Sequence, residues 1–167
     1  RAGLREMVNK TQFAITGEDT RYFLNGALFV LQPGKMNLVA TDGHRLALVS
    51  TSREKVKGEV EDLQAILPKK TLWELVRLLS DGEDAVQYTV GENHLFFKVD
   101  GRQLISRVVD AQFPAYERVI PQGNDKTIEF ERDRLTSAIK RVALLSSERS
   151  RAVKFQISNG KVDISSS

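Results

Sequence analysis

The residues whose types and spacing could do chemistry are Asp42 and His44, two positions apart in the run Ala-Thr-Asp-Gly-His-Arg-Leu-Ala at 40–47. A histidine oriented by a nearby carboxylate can act as a general base. Such a base needs a nucleophile, and the candidate hydroxyls follow no recognisable nucleophile motif: Ser50, Ser52 and Ser106. The alternative is a turn histidine whose hydrogen bonds are satisfied, and the Asp-Gly pair favours a tight turn.

Metal and cofactor sites have little support in the sequence. His94 is the second of two histidines, and no HxH or HxxxH spacing occurs. The chain has no cysteine, which excludes disulfides and thiolate metal ligands and fits a reducing cytoplasm. We therefore expect no metal and no cofactor.

Length and composition set wider limits. The chain has 167 residues, of which 41% are hydrophobic and 28% charged, with a net charge of +3. These values predict a packed core in one large domain, or one domain plus a fragment. No apolar run approaches the roughly 18 residues that span a bilayer. The amino terminus has neither a starting Met nor an apolar signal core, so we expect a piece of a longer chain, cut at both ends.

Hydrophobic periodicity predicts helices alternating with strands in the first two thirds of the chain. The apolar face of the first helix is Leu4, Met7, Val8 and Thr11. A second helix is predicted to start at Pro68, to bury Leu72, Leu75, Val76 and Leu79, and to end at Asp81-Gly82. Strands are predicted at 21–32, 35–42, 45–51, 59–67, 85–90, 94–99 and 103–109.

The pattern restarts after a linker at 110–125 that carries two prolines. A short strand is predicted at 127–130, then a helix, then a hairpin of 152–158 with 161–165. The apolar face of that helix is Leu135, Ala138, Ile139, Val142 and Leu145. Residues 34–38 and 160–164 match in order, which suggests repeated helix–hairpin modules. Chance recurrence in an α+β protein is the alternative. The predicted class is α+β, with two amphipathic helices per module on one face of a curved antiparallel sheet.

The predicted helices carry basic residues away from their apolar faces. The second helix has Lys70, Trp73 and Arg77 at helical spacing, with Lys69 beside them. The third repeats this arrangement with Arg134, Ser137, Lys140 and Arg141, and the first has Arg5 and Lys10. Such a face can neutralise phosphates without reading bases. An ordinary solvated helix surface is the alternative, which Glu6 and Glu74 favour.

Three segments together resemble the bacterial sliding clamp, the beta subunit of DNA polymerase III. They are Arg-Tyr-Phe-Leu-Asn-Gly at 21–26, the run at 40–47, and Phe-Pro-Ala-Tyr-Glu-Arg-Val-Ile-Pro at 113–121. The resemblance implies a DNA clamp fold, with the middle domain at 1–118 and the incomplete start of the last domain at 119–167. It also implies a cytoplasmic DNA replication processivity factor whose ring encircles duplex DNA.

In that family the clamp performs no chemistry, and the nucleotidyltransferase activity belongs to the polymerase holoenzyme. Polymerase, clamp loader and repair proteins bind through short linear motifs. The resemblance implies a homodimer for the full-length protein, which we do not expect of this fragment.

The resemblance also implies two sets of site residues. The first forms a pocket for the linear motif: Leu24, Thr41, Gly43, His44, Arg45, Leu46, Pro114, Arg118 and Val119. The second faces DNA: Arg5, Lys10, Arg21, Tyr22, Phe23, Lys69, Lys70 and Arg77. Phe23 stands where the family commonly has Tyr, so a hydroxyl contact is not expected there. Leu24 and Leu46 could equally be plain core residues.

Two other classes remain open on sequence alone. One is a stand-alone nucleic-acid-binding module with neither ring nor peptide pocket. The other is a small hydrolase using Asp42 and His44.

Overall fold

A computed structural model describes residues 2–17, 20–52, 62–79, 85–146 and 152–166. The chain divides into two compact units, Arg1–Val119 and Ile120–Ser167. The first unit contains helices α1 (Ala2–Thr11) and α2 (Lys69–Leu78), and strands β1 (Gly26–Gln32), β2 (Lys35–Thr41), β3 (Leu46–Ser52), β4 (Leu63–Pro68), β5 (Gln87–Val90), β6 (His94–Val99) and β7 (Arg102–Arg107). Short 3₁₀ turns lie at Gln12–Ala14, Tyr22–Leu24 and Tyr116–Val119. The second unit contains α3 (Arg132–Ala143), β8 (Lys154–Ser158) and β9 (Lys161–Ser165).

Every strand pairing in the first unit is antiparallel. One sheet has the order β3-β2-β1-β4 and the other β5-β6-β7. An isolated antiparallel bridge joins Ile66 to Val109. Helix α1 packs on α2 and on strands β2 and β3. The predicted α+β class, with two helices on an antiparallel sheet, is confirmed.

Strand β1 is apolar along most of its length because both of its faces are buried. Ala27, Phe29 and Leu31 belong to the main core, which also contains the buried sides of α1 and α2. Leu28 and Val30 point to the opposite face and join a second apolar cluster. A run without alternation is typical of a strand covered on both sides. We call this second group the outer cluster: Leu28, Val30, Val39, Ile66 and Phe113, with Phe23, Leu46, Val109, Ala111 and Tyr116 packed against it.

The predictions for helices α1 and α2 are largely confirmed. Helix α3 also forms, but none of its residues is buried, and the predicted face member Leu145 lies beyond its end at Ala143 and is 83% exposed. The four residues assigned to the apolar face of α1 are all buried. The hydroxyl of Thr11 is satisfied, because its Oγ1 donates to the carbonyl of Met7 at 2.9 Å. Helix α2 buries Leu72 and Leu75. Its start at Pro68 was wrong: Pro68 is extended (φ −56°, ψ 147°), closes strand β4 opposite Gly26, and precedes the first helical residue.

Other observed strand boundaries differ from the predicted ones, because the sequence pattern carries no information on which strands pair. Residues 21–25 were expected to open strand β1, but Tyr22–Leu24 form a 3₁₀ turn whose carbonyl at Leu24 accepts the Thr16 hydroxyl at 2.8 Å. Residues 127–130, also predicted as a strand, belong to no strand. Strands β5 and β7 are shorter than predicted. Residues 59–61 and the predicted helix end at 81–82 lie outside the described residues.

The described residues of the second unit form one helix beside one hairpin. Glu131 caps α3, since its carboxylate accepts the backbone amides of Asp133 and Arg134 at 2.9 and 2.8 Å. The turns of the β1–β2 and β8–β9 hairpins both use glycine at positive φ, 77° at Gly34 and 66° at Gly160. This matching geometry supports the predicted correspondence of 34–38 with 160–164.

Candidate functional site

The turn between β2 and β3 is held by its own side chains. Gly43 adopts φ +87°, which glycine reaches without steric cost. Asp42 Oδ1 accepts the backbone amides of His44 and Arg45 at 3.0 and 2.9 Å. Thr41 Oγ1 accepts the amide of Gly43 and donates to the carbonyl of Arg45 at 2.7 Å. The turn therefore presents the His44 and Arg45 side chains from a defined backbone.

The Asp42 carboxylate serves the turn and not the His44 ring. The amides of Arg45 and His44 are the main cause that lowers the pKa of Asp42 to about 2, and the guanidinium of Arg45 adds to it, with Nε 3.0 Å from Oδ2. Asp42 thus binds the main chain of His44, which is not how a carboxylate orients a histidine base. The geometry gives the hydrolase alternative no support.

We expect the carboxyl of Asp42 to titrate near pH 2 in carboxyl-detected NMR. Its folded pKa lies below the ordinary value of 3.8, so its stabilising effect is complete above about pH 4 and is lost as the pH falls toward 2. Asp42→Ala should remove this part of the acid dependence of stability. Asp42→Asn keeps the Oδ1 acceptor but not the charge, and should keep the turn while losing the acid dependence. A midpoint near 3.8 would contradict this account.

Two arginines from different predicted sets meet at this turn. Arg45 Nη2 donates to the carbonyl of Phe13 at 2.9 Å, and its guanidinium carbon lies 5.4 Å from the centroid of the Phe13 ring. Arg21 Nη2 donates to the carbonyl of Asp42 at 3.4 Å. Arg45 was assigned to the pocket and Arg21 to DNA, so the two predicted surfaces adjoin. Phe13, 56% exposed, was missed because nothing in its local sequence indicates a partner 32 residues away.

Several predicted pocket residues lie on or beside the outer face of the β3-β2-β1-β4 sheet. Leu46 packs against the outer cluster, to which Phe113 and Tyr116 also belong. In the 3₁₀ turn at Tyr116–Val119, the side chain of Val119 is 68% exposed. Leu24 is only 2% exposed, so its side chain is buried and offers little surface to a ligand. The remaining predicted members are partly or fully exposed: Thr41, Gly43, His44, Arg45, Pro114 and Arg118.

The sequence analysis did not assign Phe113 and Tyr116, the aromatic residues of this face that follow β7, to the site. Tyr116 is half-buried, and burial, with a smaller contribution from Glu117, raises its pKa. The sequence offered one indication of these residues, the spacing of the two aromatic side chains at 113 and 116. That spacing identifies a site only once the sheet face covered by the segment is known.

The predicted DNA-facing residues lie on the helices and beside the turn. Lys70 and Arg77 are exposed on α2, and Arg5 and Lys10 on α1. Acidic neighbours offset part of this charge, since Glu74 pairs with Arg77 at 3.0 Å and Glu6 pairs with Lys10. Tyr22 is exposed and meets the half-buried Phe23 edge to face.

Lys69 differs from its helix neighbours. Its Nζ donates to the carbonyl of Ile15 at 3.1 Å and lies 5.7 Å from the centroid of the Trp73 ring. Its backbone amide also donates to the carbonyl of Asn25 at 3.1 Å. Lys69 therefore ties α2 to the segment after α1, and its ammonium group is partly committed within the protein.

In the part of the chain that the structure describes, no helix is long and apolar enough to cross a bilayer. The same residues contain no cluster of three potential metal ligands.

Two family models match consecutive parts of the chain. The central domain of the DNA polymerase III beta subunit matches residues 1–115, and its C-terminal domain matches residues 117–167. Curated relatives include the beta sliding clamps of Pseudomonas aeruginosa, 38% identical over 96% of this chain, and of Escherichia coli, 35% identical over 98%. The chain covers 43% and 44% of these two relatives, less than half of their length.

Solved structures give the same result. A crystal structure of the DNA polymerase sliding clamp from Pseudomonas aeruginosa matches 99% of this chain with a TM-score of 0.91 and 37% identity. A second, of the clamp from the same organism bound to griselimycin, matches 98% with a TM-score of 0.89. The chain covers 45% and 44% of these structures. The family indicated by the turn at 40–47 and the segment at 113–121 is confirmed, and the chain belongs to the beta subunit (beta sliding clamp) family of DNA polymerase III.

Proposed function

We propose that this chain acts in DNA replication as part of a processivity clamp, a ring that encircles duplex DNA and tethers the polymerase. The observation that carries the proposal is the match of the central and C-terminal family domains in order along the chain. We place the middle domain at 1–118 and the start of the last domain at 119–167. The full-length protein would act in the cytoplasm as a homodimer without catalysis of its own.

The helix layer would supply the DNA-facing surface. Lys70 and Arg77 on α2, and Arg5 and Lys10 on α1, are exposed cations on neighbouring helices. Point charges on mobile side chains contact phosphates and carry no base information, which suits a ring that must slide. Because Lys69 is hydrogen-bonded to Ile15, we assign it mainly to fixing α2 and only secondarily to DNA.

The outer face would bind the linear motifs of polymerase, clamp loader and repair proteins. Leu46 and the 113–119 segment provide apolar surface, and the turn at 42–45 provides polar groups at a fixed position. Apolar anchors with a few oriented polar groups suit peptide recognition. Thr41, Gly43, His44, Arg45, Pro114, Arg118 and Val119 complete the proposed pocket, with Leu24 beneath.

Val119→Asp is the most informative test of this pocket. Val119 is 68% exposed, so a carboxylate there should leave folding intact while placing an unpaired charge against an apolar ligand side chain. We expect the affinity for a fluorescently labelled clamp-binding peptide to fall tenfold or more, measured by anisotropy. Leu46→Asp should act in the same direction but also weakens the outer cluster.

Ile105→Asp is the matched control. Ile105 is also exposed, at 56%, but lies on β7 of the other sheet, so its change to Asp should leave peptide affinity unchanged. Equal affinity of the parent chain and Val119→Asp would place the motif site elsewhere.

A further inference from the structure

A second groove, separate from most of the proposed pocket, opens on the first unit. It has a volume of about 510 Å³ and runs between strand β4, the turn at 92–93 and the segment 108–117. Its floor is apolar, formed by Leu28, Ile66 and Phe113 of the outer cluster. Within the described ranges it shares residues 113–117 with the segment assigned above to the motif pocket, but not Leu46, the turn at 42–45 or Val119. We call it the β4 groove.

The hydrogen-bond pattern shows that the β4 groove contains an open strand edge. The carbonyl of Ile66 accepts the amide of Val109 at 2.9 Å, so the peptide groups of Ile66 point away from β1. In an antiparallel ladder the peptide groups of every second residue point the same way. Those of Gln64, which lies opposite Val30, must therefore also point away from β1 and toward the groove.

Among the described residues, no strand pairs with that edge at Gln64. The ladder beyond β4 consists of the single Ile66–Val109 bridge in the described part of the chain, and no hydrogen bond there reaches the outward N–H or C=O of Gln64. An open edge with unpaired backbone groups is a template for another strand. The adjoining apolar floor could take one side chain of such a strand.

The charge of the rim favours one kind of strand. Glu92, Asp110 and Glu117 line the groove, and among the described residues its lining contains no lysine or arginine. The chain as a whole is basic, with 25 Lys and Arg against 22 Asp and Glu. An acidic rim on a basic protein repels acidic segments and steers basic ones.

We propose that the β4 groove binds an extended segment of a partner protein, which adds as a strand at Gln64 and carries lysine or arginine beside an apolar residue. Backbone hydrogen bonds to Gln64 would supply binding common to any strand, and the apolar floor and acidic rim would select the side chains. This site adjoins the linear-motif pocket through residues 113–117 but takes a different ligand, and it does not require the ring.

The first experiment titrates a fluorescein-labelled Lys-Val-Lys-Val-Lys-Val peptide into the chain and follows anisotropy. The double variant Glu92→Lys/Glu117→Lys, which changes two exposed rim residues, should weaken binding tenfold or more. Glu6→Lys makes the same kind of change on α1, away from the groove, and should leave binding within twofold. Val119→Asp should also leave it unchanged, which separates this site from the motif pocket. Equal loss in Glu6→Lys and the rim variant would overturn the proposal by showing general charge attraction.

The second experiment distinguishes strand addition from attraction to the rim. Hydrogen exchange of the Gln64 amide should slow at least tenfold when the peptide is saturating. Gln64→Pro removes the outward N–H but no bond to β1, because proline is tolerated on an edge whose N–H faces away from the sheet. It should weaken binding, whereas Gln64→Ala should not. Unchanged exchange at Gln64, or protection that grows with protein concentration without peptide, would refute a partner strand.

Discussion

Replacing Phe97 with alanine is expected to destabilise the first unit by about 3–5 kcal/mol. Phe97 is 1% exposed on β6, and its ring meets Phe29 of β1 edge to face with centroids 6.4 Å apart. The two strands belong to different sheets, so this contact joins the sheets through the main core. Truncation would remove buried apolar area, an aromatic pair and the filling of the space between the sheets.

Phe96→Ala is the control for this loss. Phe96 is the neighbouring residue on the same strand, but it points to the other face and is half-exposed. Its truncation should cost only about 1 kcal/mol. Urea unfolding followed by tryptophan fluorescence reports on the first unit, because the chain's single tryptophan, Trp73, lies on α2. Similar midpoints for the two variants would mean that Phe97 does not hold the sheets together.

Gly26→Ala is expected to be nearly as damaging, at about 3 kcal/mol or more. A Cβ at Gly26 would lie 2.4 Å from the carbonyl oxygen of Leu67 and 3.0 Å from Cγ2 of Ile66. The oxygen is part of the backbone of the adjacent strand, so it cannot rotate away as a flexible side chain would. Strands β1 and β4 would have to separate at the end where Gly26 faces Pro68.

The same substitution at Gly3 should have the opposite sign. A Cβ at Gly3 meets nothing within 4 Å, and Gly3 lies within helix α1, where alanine is favoured over glycine by up to about 1 kcal/mol. Thermal unfolding monitored by circular dichroism compares the two variants. A melting temperature for Gly26→Ala at or above that of the parent chain would show that the strands adjust freely.

Local sequence was enough to predict most of the elements. The buried face of α1 follows from the spacing of its apolar residues, and the hairpin turns follow from their glycines. The 3₁₀ turn at Tyr22–Leu24 could not be predicted in this way, because apolar composition alone fits a strand equally well. It is fixed by a contact from Thr16, eight residues earlier.

In the candidate site, too, local contacts could be predicted from the sequence and long-range contacts could not. The turn around Gly43 was predictable, since the hydrogen bonds that close its backbone lie within residues 41–45. The ties of Arg45 to Phe13 and of Lys69 to Ile15 span 32 and 54 positions, and no spacing rule indicates them. The family resemblance assigned Lys69 to DNA, although its ammonium group is also a structural donor. The linear-motif residues came from family resemblance and remain a prediction.

Successive residues of β1 point to opposite faces of its sheet. This one strand therefore contributes side chains both to the main core and to the outer cluster. Phe29 belongs to the main core, which also contains the buried residues of the helices proposed to face DNA, while its neighbours Leu28 and Val30 belong to the outer cluster. A ligand that displaced β1 from one side would change the packing on the other, and thermodynamic linkage requires the influence to be mutual. If a ligand at the outer face shifts β1, the packing of the main core against the helices is expected to change with it.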